Sequence, residues 1–188
     1  NSLLKNDTKR LLSRVHVHGT RYVVKEFRRT RPFGTWAADA QCWLNTSRLS
    51  APHWPIAACY AWLRTGDRVG YIILEDAGAQ SLPEVLRTTS SKKRRMLTRA
   101  AADILALLHN AAVFHRDMKS TNFVVCSSGG STFPLAVVDC DRLKFQWRMP
   151  ARQRARNLAQ LIATLPAAAG KRAADRILVR YARQMGHN

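Results

Sequence analysis

The stretch His115-Arg116-Asp117-Met118-Lys119-Ser120-Thr121-Asn122, followed after a short apolar run by Val137-Val138-Asp139-Cys140-Asp141, decides how this chain reads. A hydroxyl attacking a γ-phosphate needs a carboxylate to orient it and accept its proton, and side-chain oxygens to hold Mg²⁺ against the phosphates. Asp117 suits the first task, and Asn122 with Asp139 suits the second. Lys119 is placed to steady the charge on the transferred group, while His115 and Arg116 brace the loop. For Asp141 two roles stay open, a second metal ligand or a lock on its segment through Arg142.

Spacing and context carry the signal more than the His-Arg-Asp triplet does. Asn122 follows Asp117 at the interval of the catalytic loop H-R-D-x-x-x-x-N. Phe123 to Cys126 and Leu135 to Val138 read as short strands around Ser127-Ser128-Gly129-Gly130-Ser131, a hairpin that brings Asn122 and Asp139 to one edge. ATP-dependent phosphotransfer is therefore the expected chemistry, with Mg²⁺ as the metal.

Working outward, Val15 to Lys25 reads as two strands around a His18-Gly19 turn, the glycine supplying the positive φ of a tight hairpin. His16 and His18 share one strand face, but no third metal ligand stands nearby, so they read as surface histidines. Lys25 lies in Val23-Val24-Lys25-Glu26-Phe27, a strand like V-A-I-K whose lysine clamps the α- and β-phosphates. Glu26 faces the other side of that strand. Trp36, Ala40, Trp43 and Leu44 recur at helical spacing and predict a helix over about 35–47. Asp39 is its only acid, and a Lys25 to Asp39 ion pair is expected to position the lysine. Ile56 to Leu63 and Val69 to Leu74 flank Arg64-Thr65-Gly66-Asp67 as another hairpin. Its second strand runs into Glu75-Asp76-Ala77-Gly78, where Glu75 and Ala77 would frame the adenine through backbone groups.

Beyond this point helices dominate. Leu97, Ala101, Ile104, Leu105 and Leu108 predict a helix from Ser91 to Asn110, opening on Lys92, Lys93, Arg94 and Arg95. Cations there oppose the helix dipole, which hints at a partner's negative charge, although a screened basic face is the plainer explanation. Two further helices carry Leu158, Leu161, Ile162 and Leu165, then Ile177, Leu178, Tyr181 and Met185. There is no A-P-E motif and no room for the long activation segment and large helical lobe that dock protein substrates. The expected division is 1–77 as a nucleotide-binding lobe and 78–188 as a catalytic lobe.

Composition bounds the partners. The 188 residues, 46% hydrophobic, suffice for a packed core, and 31 Lys and Arg against 12 Asp and Glu give a net charge of +19. Such a field draws the protein towards polyanions. The basic residues are scattered and not interleaved with aromatics at single-strand spacing, which disfavours nucleic acid as the partner. Cys42, Cys59, Cys126 and Cys140 show no zinc-type spacing, and three of them sit in apolar surroundings where a small buried thiol is the default, which points to a reducing compartment. No signal peptide or membrane-spanning apolar run is evident. The chain opens at Asn1 without a methionine, so an upstream segment is a candidate contributor to the phosphate site.

Together these residues resemble the lipopolysaccharide kinase family, the Kdo and heptose kinases of Gram-negative bacteria. The resemblance covers nearly the whole chain. It rests on Asp139-Cys140-Asp141-Arg142 in place of Asp-Phe-Gly, and on Arg156-Asn157-Leu158-Ala159-Gln160-Leu161 after it. It implies an α+β, minimal two-lobed protein-kinase-like fold, with a small antiparallel N-lobe sheet, one helix, and a reduced helical C-lobe. It also implies ATP and Mg²⁺, a cytoplasmic protein peripheral to the inner membrane, and an anionic glycolipid whose sugar hydroxyl is phosphorylated. An anionic membrane surface would add about 1 kcal/mol per nearby basic side chain. Four departures stand out: Lys5-Asn6-Asp7-Thr8 where a Gly-rich loop belongs, Asp39 for glutamate, Ala112 for a glycine before the catalytic loop, and Cys140 for phenylalanine. They keep a silent, kinase-shaped binding module as a rival; a protein Ser/Thr kinase is the nearer one, supported by Lys119.

Overall fold

Alternating apolar and polar residues over Arg10–Val17 and Thr20–Phe27 form strands β2 and β3, and the two-residue turn between them needs left-handed backbone at both positions. His18 has φ 48° and Gly19 φ 78°. That is the primed turn whose twist matches the strands. His18 therefore belongs to the turn and not to a strand face shared with His16. The computed structural model describes residues 2–6, 10–28, 37–49, 54–66, 68–126 and 133–186, apart from the side chain of residue 5. By contacts the chain divides into two compact units, Asn1–Ala77 with Asp139–Asp141, and Gly78–Val138 with Arg142–Asn188. The tripeptide 139–141, expected within 78–188, thus packs with the first unit.

The first unit holds an antiparallel sheet of β1 (Ser2–Asn6), β2, β3, β4 (Cys59–Arg64) and β5 (Gly70–Glu75), in the order β1-β2-β3-β5-β4. Helix α1 (Ala38–Arg48) lies against β4 and β5. Its apolar side and the inward residues of the sheet make a small core of Phe27, Cys42 and Ile72, with Trp43, Cys59 and Leu74 at its margin. Trp36 and Thr35, assigned to this helix above, lie outside the described residues. So do Asp7 and Thr8, and Ser127 to Ser131.

In the second unit β6 (Gln80–Ser81) leads into α2 (Leu82–Thr88), a short helix absent from the sequence expectations. Its signal was the Ser81-x-x-Glu84 pattern, in which the Glu84 carboxylate accepts hydrogen bonds from the Ser81 N–H at 2.6 Å and Oγ–H at 2.7 Å. Helix α3 (Ser91–Asn110) buries Leu97, Ala101, Ile104, Leu105 and Leu108 and packs on α5 (Ala173–Gln184), where Ile177 and Tyr181 are buried. Each large aliphatic side chain so buried contributes about 1.5–3 kcal/mol. Strand β7 (Val113–His115) pairs with β10 (Leu143–Phe145), and β6, β8 (Phe123–Val125) and β9 (Leu135–Val137) form a three-stranded antiparallel sheet. Helix α4 (Ala151–Ala163) lies between β10 and α5 in sequence. The architecture is α+β, as expected. Among the described residues no helix is long and apolar enough to cross a membrane.

Two positions show why particular residues matter locally. Ala112 follows the C-terminus of α3 with φ 53°, the left-handed conformation that usually belongs to glycine there. Gly78 sits so close under the Val125 carbonyl that a Cβ would overlap it.

Candidate active site

In the first unit, Lys25 is the centre. It lies on β3, 6% exposed, and its Nζ donates to Asp139 Oδ1 at 2.5 Å and Asp141 Oδ1 at 2.6 Å. Burial alone would lower its amine, but the Asp141 and Asp139 carboxylates more than offset that and hold it above its ordinary value. The ammonium is therefore charged throughout the physiological range. Arg10, across the ladder from Phe27, adds a second cation: its Nη2 reaches Asp141 at 2.9 Å and its Nη1 lies 3.7 Å from Asp139. Both cations rest on the face of Phe27, at 5.2 Å for Lys25 and 5.5 Å for Arg10.

The two carboxylates differ in exposure. Asp141 keeps 3% of its side chain exposed and Asp139 31%. Asp141 is thus committed to holding Lys25 and Arg10, which favours a structural role, achieved through these two residues. Asp139 retains an open side. It has φ 66°, a conformation that aspartate tolerates better than most residues and that often marks functional turns. From α1, Asn45 Nδ2 donates to the Cys140 carbonyl at 2.8 Å and fixes the turn. Burial pushes the Cys140 thiol up to about 12, so it packs as an apolar group. The four cysteines are free thiols, Cys42 and Cys140 fully buried.

The Lys25 to Asp39 pair does not form. Asp39, fully buried, accepts from Arg64 Nε at 2.9 Å, Arg64 Nη2 at 2.8 Å and Trp62 Nε1 at 3.0 Å. Register explains the difference. Lys25 pairs with Ile72, whereas Asp39 sits over Gly70, two residues or about 7 Å further along β5. An aspartate in the first turn of α1 cannot cover that distance, and the lysine already has two carboxylates. Glu75 ends β5, its carboxylate accepting from the Ala58 N–H at 3.1 Å, and Ala77 closes the first unit. Between them Asp76 is buried against Arg14 at 2.6 Å, tying this stretch back to β2.

In the second unit the loop after β7 is held by its own backbone. The Asp117 N–H donates to His115 Nδ1 at 3.1 Å, so Nε2 of the buried imidazole carries the proton and faces the Val138 carbonyl at 3.4 Å. Lys119 Nζ bridges the two Asp117 oxygens at 3.0 and 3.1 Å. Both groups are partly open to solvent. Asn122 Nδ2 donates to the Asp117 carbonyl at 2.7 Å, which orients its amide and leaves Oδ1 without a protein partner among the described residues. The β8–β9 ladder continues past Phe123 and Val137 to a bond from the Val138 N–H to the Asn122 carbonyl at 2.9 Å, one residue short of Asp139.

Helix α4 and the turn after it brace this loop through three polar residues on one face. Asn157 Nδ2 donates to the His115 carbonyl at 2.6 Å, Gln160 Oε1 accepts from the Met118 N–H at 3.2 Å, and Thr164 Oγ1 accepts from the Ser120 N–H at 2.8 Å. The network extends behind Asn157. Its Oδ1 accepts from His109 Nε2 at 3.1 Å, and His109 Nδ1 accepts from the Tyr181 hydroxyl at 2.7 Å. Burial lowers the His109 pKa to about 4 despite the Asn157 bond, so the imidazole is neutral. The Asn157, Gln160, Thr164 spacing of three and four residues was visible in sequence, but its target was not. Arg10 had no sequence signal, since only the strand register sets it opposite Phe27.

Hard oxygen donors suit Mg²⁺, which keeps waters and substrate phosphates and takes only one or two protein carboxylates. The exposed edge of Asp139 and the Asn122 Oδ1 are donors of that kind. Among the described residues there is no metal-holding group of three or more His, Cys, Asp or Glu.

The family described as lipopolysaccharide kinase (Kdo/WaaP) matches residues 13–180. No curated protein matches significantly.

Proposed function

The chain belongs to the lipopolysaccharide kinase (Kdo/WaaP) family, and from that membership we propose that it transfers the γ-phosphoryl group of ATP to a sugar hydroxyl of an anionic, lipid-linked glycan. The observation that carries the reading is the buried Lys25 ammonium held on the Asp139-Cys140-Asp141 turn. A buried cation with an open carboxylate beside it is the arrangement that receives a triphosphate and its metal.

In this reading Asp117 orients the acceptor hydroxyl and takes its proton at a carboxylate oxygen as the new O–P bond forms and the bond to the ADP oxygen breaks. Lys119, already on Asp117, counters the charge spread over the transferred group. Lys25 holds the α- and β-phosphates, and Glu75 and Ala77 present backbone groups to the adenine. Asn122 and Asp139 would hold Mg²⁺, which supplies charge neutralisation when bound. The basic surface would bring the protein to the cytoplasmic face of an anionic membrane.

Labelled ATP offered with lipid A core precursors and with a protein acceptor tests the proposal. Wild type should label the glycolipid, and Asp117→Asn should lower the rate by about 10²–10⁴-fold, the usual worth of a general base. Label on protein alone would make it a protein kinase. Nucleotide binding with no transfer to either acceptor would make it a silent binding module.

A further inference from the structure

At the opposite end of α3 from the catalytic loop, a cavity of about 260 Å³ is lined by Ser91, Arg94, Arg95, Lys171, Arg172 and Arg176, together with Ala169 and Gly170. No acid lines it. Helix α3 runs on from Arg95 to Asn110, so about 22 Å of helix separates this cavity from the loop that follows. It cannot receive the phosphoryl group handled by Asp117. We propose that this cavity is a second anion site, built for a phosphomonoester group.

Three observations support the assignment. Five cations converge where two helices, α3 and α5, begin, so their own partial positive charges add to the field. Such crowding is unfavourable without a counter-charge. Asp175, the acid in the first turn of α5, is exposed and does not line the cavity.

Second, the cations divide into two kinds. Arg94 is anchored by the Leu86 carbonyl at 2.8 Å, and Arg176 by the Ala169 carbonyl at 3.1 Å. Two of the five donors are thus fixed in place by the fold. The side chains of Arg95, Lys171 and Arg172 are exposed and have no protein partner among the described residues, leaving their charge available.

Third, the cavity is small and has a glycine in its wall. Gly170, at φ 90° and ψ 153° in the region only glycine enters freely, opens the backbone beside it. The volume lies below the range of drug-sized pockets, which suits a head group or phosphorylated sugar and not a whole nucleotide. The placement also gives Arg94 and Arg95, two of the cations at the start of α3, a counter-charge.

Inorganic phosphate titrated calorimetrically into the full chain at constant ionic strength tests the site. The experiment uses a Lys25→Met background, which removes phosphate binding at the triphosphate site. Arg95→Gln/Lys171→Gln/Arg172→Gln should weaken phosphate binding about tenfold or more, because charge-assisted bonds are roughly twice as strong as neutral ones. Lys144→Gln/Arg148→Gln/Arg152→Gln, an equal loss of exposed charge elsewhere, should change it less than about twofold. These three cavity side chains support no other part of the fold, so circular dichroism should be unchanged. Vesicles of phosphatidylcholine with and without phosphatidic acid then identify the source. If the cavity variant also loses the phosphatidic acid vesicles, the ligand is a lipid head group; if it keeps them, a soluble or glycan phosphate is the ligand. Equal weakening in both triple variants, or no phosphate binding in the Lys25→Met background, would overturn the proposal.

Discussion

Replacing Asn157 by leucine keeps the volume of a fully buried side chain and removes its three hydrogen bonds. Two groups of consequence are left unmet: the His115 carbonyl, 2.6 Å away, and His109 Nε2, 3.1 Å away. A tautomer switch does not rescue the imidazole. Protonating Nδ1 leaves Nε2 a bare acceptor facing leucine, with Tyr181 still the only partner on the other side. Each orphaned buried group costs about 1–3 kcal/mol, so the sum is about 2–6 kcal/mol. For a chain of this size that lowers Tm by about 4–24 °C. Helicity followed at 222 nm reads it well, since α2 to α5 all belong to this unit. A double-mutant cycle with His109→Leu sharpens the test. If the two side chains act as one network, the double variant should lose about 1–3 kcal/mol less than the sum of the singles. A loss under about 1 kcal/mol for Asn157→Leu, or strict additivity, would refute the claim that this network holds the loop after β7.

The His109 imidazole also makes stability depend on pH. It stays neutral when folded because its pKa falls from 6.5 to about 4, so its contribution is complete above about pH 6.5 and is lost as pH drops towards 4. Wild type minus His109→Gln, measured by urea unfolding across that window, should fall by up to about 3 kcal/mol. Ala112→Gly relieves a left-handed alanine at φ 53° and should stabilise by about 0.5–1 kcal/mol, read as a higher Tm. Gly70→Ala would put a methyl into the Asp39 carboxylate and push it off Arg64 and Trp62, with an expected loss of about 2–4 kcal/mol. Tryptophan fluorescence should report it, because Trp62 lies against Trp43 at 6.5 Å.

What the sequence alone determined is what periodicity and short spacing encode. The hairpin at His18-Gly19, the span of α3, the Asp117 to Asn122 interval and the lysine on β3 are all set within one element or one turn. A residue's neighbours three or four positions away are dictated by the helix itself, and a strand's faces by its pleat. Partner choice across elements is a different matter. Whether Lys25 met Asp39 or Asp139 and Asp141 depended on a two-residue offset between Ile72 and Gly70 in one strand, which no local pattern reveals. The same holds for Arg10 on Asp141, for Asn157 reaching the His115 carbonyl, and for five cations gathering where α3 and α5 begin. Side chains reach only a few ångströms, so tertiary register decided each of these contacts.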